Sequence, residues 1–550
     1  MTHASAASAG RTARRKAGAV AAVAAAVVSP GAAGVTAATR QSGPSPRRSS
    51  AARGPDITQM TIPDTRRTLR AARGAAKRAT PCSALQPTAR RGGALCDTPR
   101  PADELPNRGG DLVAAPARSI AAVRSSGRCG TSALAGLLLI GWLLGTVGAA
   151  RGDVQPGDVI SAKQLDAARE FLTPGLEWVV RRGMSLPVVA TGAIAAPVAY
   201  REATERYAAH VRLGADGVTL QNYVAGLPFP IIDPADPQAA VKVMWNSEYK
   251  WLATDDLDAR DFDADAGSIG HDGAGMVVDR HFVLGYLRRL FYNGRLYVDP
   301  KPARPNPDAI RYRESLHPLE EPADLRGVGM TSVRYMSATQ PDESWLYLPN
   351  LRRVRRLSSA QRSDALFNQD IDSDSYFGYS GHIGWMDWKF LGERTVLAPM
   401  HGKHFPVVWG GGSADFAFDD VWEKRRVYVI EGTSKLPQYA YGKRVLYVDQ
   451  ETWVVPLSDI YDHNGQLSKV WLNLFHYQTE PFAGAKTSVY PSPMGFSPAV
   501  VMVDVNTDHV TRVALPSRKS GSEGWFFNMG DRLGLSEDWF KISHLIQTAQ

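Results

Sequence analysis

Residues 425–477 read RRVYVIEGTSKLPQYAYGKRVLYVDQETWVVPLSDIYDHNGQLSKVWLNLFHY. Four short runs inside this stretch alternate apolar and polar residues and are rich in β-branched and aromatic types: 425–431, 444–449, 453–461 and 466–477. Period-two alternation places one face of each run on a core. The breaks carry turn chemistry: Tyr441-Gly442-Lys443, then Asp449 to Thr452, then Asp462-His463-Asn464-Gly465, where Asn-Gly favours positive φ. The pattern predicts an antiparallel meander.

Working outward, residues 345–356 (WLYLPNLRRVRR) hold a proline that confines the run to an edge or a bend. Runs 284–298 and 328–336 are partly strand-like, and the Pro-rich stretches 300–307 and 491–498 are expected to be loops. Towards the N-terminus, Ser161 with Gln164 forms a capping-box pattern before LDAAREFL, and Pro174 allows only a short helix before a second one over 176–182. No repeat and no linker divides residues 151–550. The expected fold is α+β and mainly antiparallel β: one large curved sheet, a half-open barrel, with a few lid helices. A sheet of that size must curl or close to protect its edges.

The first 150 residues differ in kind. They hold 21 Lys+Arg against 6 Asp+Glu, while the remaining 400 hold 42 against 49. The overall +8 therefore belongs to the first quarter, and the body is acidic by 7, which removes a nucleic-acid partner for it. Residues 1–127 are built from Ala, Arg, Gly, Ser and Pro, a composition that predicts a disordered basic extension. Arg124 and Arg128 then precede an uncharged run over 129–150 that contains LLLIGWLLGTV and ends in small residues. That order describes a signal peptide cleaved after Ala149 or Ala150, or a signal anchor. A signal so deep in the chain also raises a translation start near Val113 or Val123, which would leave the extension unmade. Each reading puts residues 151–550 across a membrane as one exported domain. All three cysteines (Cys82, Cys96, Cys129) precede that domain, so it has no disulfide, thiolate metal site or cysteine nucleophile.

Catalytic signatures are missing: there is no HExxH, GxSxG, phosphate loop or nucleotide fingerprint. The run 378–382 (GYSGH) lacks the spacing of a nucleophile elbow and reads as a surface loop. His401 and His404 would share a helix face, but Gly402 and Pro406 oppose a helix and no acidic third ligand is near in sequence. Asp261, Asp263, Asp265 and Asp370, Asp372, Asp374 alternate as in loops that wrap calcium, although each set reads more simply as a solvated acidic loop. We therefore expect no catalytic residues, no metal and no cofactor.

The pointed feature is Arg352, Arg353, Arg355 and Arg356 beside WLYLP. One reading is a solubilising edge strand. The other is a cationic lip that grips an anionic head group or an acidic partner. On the second reading, Arg353→Ala with Arg355→Ala weakens an anionic ligand more than a neutral one. Aromatic residues that a hydrophobic cavity would use include Trp345, Tyr347, Trp388, Trp453 and Trp471. With the four arginines they form the candidate ligand-binding set.

Six phrases carry a family resemblance: NYVAGLPFP (222–230), KVMWNSEY (242–249), LYLPNLRRVRR (346–356), MDWKFLGE (386–393), WEKRRVYVIEG (422–432) and YGKRVLYVDQETW (441–453). Together they resemble the bacterial domain-of-unknown-function family 1329, over roughly residues 170–530. The resemblance implies sheet segments similar to outer-membrane lipoprotein-sorting and lipoprotein-receptor proteins, in which a curved half-barrel covers an apolar cavity lidded by helices. It also implies an envelope role beside a resistance-nodulation-division transporter and an outer-membrane protein. The expected function is a non-enzymatic periplasmic lipid- or hydrophobe-binding protein, an accessory to such a transporter. An envelope scaffold with a filled core and an exported metal-assisted hydrolase are the alternatives. A cavity above about 300 Å³ favours the carrier and a close-packed interior favours the scaffold.

Overall fold

Two meanders meet along one seam to form the sheet. The first runs through β1 (Asp256–Ser268), β2 (Val277–Phe291), β3 (Ile310–Glu321), β4 (Gly329–Tyr335), β5 (Glu343–Leu348) and β6 (Arg353–Leu357). The second runs through β7 (Met386–Ala398), β8 (Glu423–Ser434), β9 (Lys443–Asp449), β10 (Leu457–Tyr461), β11 (Leu467–Gln478), β12 (Met494–Asp504) and β13 (His509–Ala514). The spatial order is β6-β5-β4-β3-β2-β1-β13-β12-β11-β10-β9-β8-β7, with β14 (Trp525–Phe527) also on β1. Every strand pairing in this sheet is antiparallel, and β13 closes the seam through His509↔Ser268 to Ala514↔Asp263. The curved sheet stays open. Its two edges, β6 and β7, are consecutive in the chain, joined by residues 358–385.

This computed structural model describes residues 153–270, 274–358, 361–478, 494–517 and 524–549. The expected basic extension (1–127) and signal segment (128–150) lie outside the described residues. Among the described residues no helix is long and apolar enough to cross a membrane.

The helices are short: α1 (Leu165–Ala168), α2 (Pro174–Arg181), α3 (Val198–Tyr207), α4 (Ala239–Glu248) and α5 (Ile542–Thr548). Pro174 occupies the first turn of α2, where its missing N–H costs nothing. The Thr173 hydroxyl caps that helix by accepting from Leu176 N at 3.0 Å. Gln164 completes half of the expected capping box, accepting from Ser161 N at 3.2 Å. Leu176, Val179 and Val180 of α2 pack on Val470, Leu472 and Leu474 of β11. The opposite face is covered further along by α4, whose Val243, Met244 and Trp245 meet Ile430, Leu446 and Val448.

This double cover goes beyond the single core face that alternation implied. Residues 444–449 and 470–477 are buried at every position, as in strands enclosed on both sides. A correction concerns 453–461. The strand starts only at Leu457, because Trp453 adopts φ 63° and Pro456 withholds a donor. The expected run 345–356 is a hairpin, with Pro349–Leu351 in its turn and Arg352 at φ 48°.

Candidate functional site

Small residues at two positions of β1, Ala259 and Ala264, leave space on one face of the seam. Phe262 shares that face with them, and Phe282, Leu284, Leu287, Leu316 and Leu319 extend it through β2 and β3. Across the seam, Trp471, Asn473, Ser497, Val500 and Val513 supply the other half, and Leu515 and Trp525 complete the wall. The roof is the segment that joins the sheet's two edges, through Leu366, Phe367, Gln369, Ile371, Tyr376 and Phe377. The space between wall and roof is about 130 Å³. Its lining is almost wholly apolar; Asn473 spends its amide on Val455 O at 2.7 Å.

Alternation within the roof segment explains how it is held. Asp370, Asp372 and Asp374 interleave with Ile371 and are buried, not the solvated loop expected of them. The Asp370 carboxylate accepts from Thr511 Oγ1 at 2.9 Å and lies 2.8 Å from His509 Nδ1. Asp372 accepts from Tyr441 and Ser375 hydroxyls, each at 2.7 Å, beside the Arg444 guanidinium at 3.4 Å. Asp374 takes Arg362 Nε at 2.6 Å. Three carboxylates with three separate sets of partners form anchors, not one cation site. Asp342 adds a fourth point, meeting Arg334 at 2.5 Å and Arg362 at 2.8 Å. Burial opposes ionisation of Asp342, yet the two guanidiniums outweigh it and hold the carboxyl well below the usual range.

The run 378–382, expected as a surface loop, is drawn into the same anchorage. Ser380 O accepts from both Arg334 and Arg362 at 2.9 Å, and His382 is buried 2.9 Å from Asp342. Burial, followed by the Arg334 charge, brings His382 down to about 4, so it is neutral at pH 7. His401 and His404 lie on no helix. His401 instead sits 3.0 Å from Glu423, an acid remote in sequence, and His404 Nδ1 lies 2.9 Å from Asp419 O.

Asp261, Asp263 and Asp265 also leave the expected loop: they lie on β1. Asp263 and Asp265 point away from the cavity, since Ala264 between them lines it. They gather with His281 on β2, their ligand atoms all within 4.8 Å. Arg512 holds the second oxygen of Asp265 at 3.0 Å and Ser517 that of Asp263 at 2.6 Å.

Of the nine sequence candidates, Trp471 lines the cavity. Trp388 donates to Ile383 O at 2.8 Å and packs edge-on against Tyr379. Trp453 stacks on Tyr428 at 5.6 Å beneath α4. Trp345 packs in a small cluster with Leu290 and Phe540, and Tyr347 is buried on β5. Arg352 is in the hairpin turn, while Arg353, Arg355 and Arg356 lie on the edge strand β6, where Arg356 reaches Glu343 at 3.2 Å. That edge is three strands, about 14 Å, from the nearest cavity strand β3. The sequence reading missed Phe262, Phe282, Phe367, Tyr376 and Phe377. Apolar residues between alternating aspartates were the available signal for the roof.

The family described as "Protein of unknown function (DUF1329)" matches residues 159–538. Uncharacterized protein PA3922 of Pseudomonas aeruginosa is 26% identical over 335 residues, 58% of this chain and 68% of that one. Among solved structures, a domain described as an outer-membrane lipoprotein-sorting protein from Vibrio parahaemolyticus aligns at TM-score 0.37 and 15% identity, covering 56% of this chain and 100% of its own. A DUF1329 family protein from Desulfovibrio piger aligns at TM-score 0.36 and 14% identity with the same coverages.

Proposed function

The chain belongs to the DUF1329 family, and from that premise we propose that residues 151–550 form a non-enzymatic periplasmic carrier for a lipid or other hydrophobe. The observation that supports this reading is the apolar cavity roofed by a segment that is not part of the sheet. A roof fastened by side chains can be lifted without unpairing a strand.

The volume of about 130 Å³ falls between the two outcomes anticipated from the sequence. It is below the ~300 Å³ of ordinary ligand sites, and near the ~150 Å³ that admits an aromatic ring. As it stands the cavity seats one end of an apolar chain, and a longer chain displaces residues 366–377. The small volume also favours the second reading, an envelope scaffold with a nearly filled core. A resistance-nodulation-division transporter and an outer-membrane protein are the partners proposed for either reading, on the strength of the family resemblance.

Fluorescence of N-phenyl-1-naphthylamine, which brightens in apolar surroundings, separates the two. Ala264→Phe fills the cavity from its wall and should weaken dye binding by about tenfold, with overpacking costing roughly 1–3 kcal/mol of stability. A folded Ala264→Phe protein that binds dye as the wild type does would place the dye elsewhere and favour the scaffold.

A further inference from the structure

Phe377, in the cavity roof, has two cations against its ring. Arg289 Cζ lies 5.0 Å from the ring centroid and Lys250 Nζ lies 6.0 Å from it. Lys250 follows α4 by two residues and donates to Ser247 O at 2.7 Å, a carbonyl of that helix's last turn. Arg289 is buried on β2 and pairs with Glu314 at 2.5 Å. Arg311, beside them, lies 3.4 Å from Glu248.

Counting charge at this spot gives three bases, Lys250, Arg289 and Arg311, against two acids, Glu248 and Glu314. Both acids stand within 4 Å of an arginine. Among the described residues no carboxylate comes within 4 Å of Lys250, so one positive charge is left over beside the ring of Phe377, which lines the cavity roof. A part-buried cation in such a place needs either a counter-ion or loss of its proton. Burial lowers Lys250 to about 8, with Arg289 and Arg311 pushing the same way and Glu248 against, so at pH 7 the ammonium persists.

We infer that the carried molecule is a single-chain monoanionic amphiphile, its tail between the sheet and Phe377 and its carboxylate on Lys250. This rests on the carrier reading above and names its ligand class. One surplus positive charge matches a monoanion; a dianionic phosphate would bring back the imbalance with opposite sign. Arg289, already neutralised by Glu314, contributes orientation through its remaining N–H groups and not net charge. The arrangement puts head-group choice at Lys250, away from the arginines of the β5–β6 hairpin.

The test is displacement of N-phenyl-1-naphthylamine at pH 7 by dodecanoate, dodecan-1-ol and dodecyl phosphate, on wild type, Lys250→Met and Lys250→Arg. A charge-assisted hydrogen bond corresponds to about a tenfold preference. Wild type should therefore prefer dodecanoate to the alcohol by about that factor. Lys250→Met should bring the two within about twofold by weakening dodecanoate alone. Lys250→Arg, which keeps the charge, should retain the preference. Equal wild-type binding of acid and alcohol would overturn the head-group assignment and leave the carrier standing. So would an undiminished preference in Lys250→Met, or a preference abolished only by Arg353→Ala with Arg355→Ala. Tighter binding of dodecyl phosphate would overturn the monoanion. A wild type that takes neither dye nor any dodecyl compound would overturn the carrier reading itself.

Discussion

Asp459 shows how one buried carboxyl couples α2 to the sheet. Its Oδ1 accepts from Gly175 N at 3.1 Å, and Tyr447 OH lies 3.0 Å from Oδ2. The close approach requires glycine, since a Cβ at 175 would sit 2.3 Å from Asp459 Oδ1 and 2.8 Å from Val470. Burial pushes the Asp459 carboxyl up to about 7, against an unfolded value near 3.9. The folded state thus binds the proton more tightly. The stability this proton supplies is whole below about pH 4 and drains away as pH rises through 7. Asp459→Asn keeps the shape and the acceptor but cannot ionise. It should match wild type near pH 3, rise modestly above it by pH 5 and melt several degrees higher at pH 8; an equal difference at pH 3 and pH 8 would contradict the assignment. None of this could be read from SDIY in the sequence, where Asp459 looks like the polar residue of an alternating strand. The partner that buries it lies 284 positions away.

At the scale of elements, the legible parts were those with a period. The alternation in 425–431, 444–449 and 466–477 gave β8, β9 and β11 to within a few residues, because side-chain period two is local information. The roof segment had no such period to offer. Its structure comes from buried ion pairs with strands far off in sequence, so its aspartates looked like a wet loop or a calcium wrap. The same physics sets the cost of disturbing it. Asp372→Ala leaves the buried Arg444 guanidinium without its carboxylate and should cost about 3–5 kcal/mol in denaturant unfolding. Adding Arg444→Met removes the stranded charge, so the double variant should be more stable than Asp372→Ala alone. Strict additivity of the two losses would show that the pair does not act as a unit.

For the whole molecule, the arrangement follows from a meander that folds back on its own first strand. Because β13 pairs with β1, the edges left over are β6 and β7, and the chain between them must cross the open side. That crossing makes a half-open barrel with a fastened roof. The sequence supported the large antiparallel sheet and its open form, through the strand count and the family phrases. It could not place the cavity, because the seam joins residues 263–268 to 509–514, a pairing no local pattern announces. The candidate aromatics were chosen by type, and type does not say which face of which strand is roofed; Trp471 alone of the nine lines the space. The central claim is that this space shelters a hydrophobe. The most direct measurement is organic extraction and mass spectrometry of residues 151–550 purified from the periplasm, beside an unrelated periplasmic protein purified identically. The carrier account predicts a near-stoichiometric acyl compound, enriched over the control and depleted by Ala264→Phe. The same trace lipids at the same low level in all three samples would contradict it.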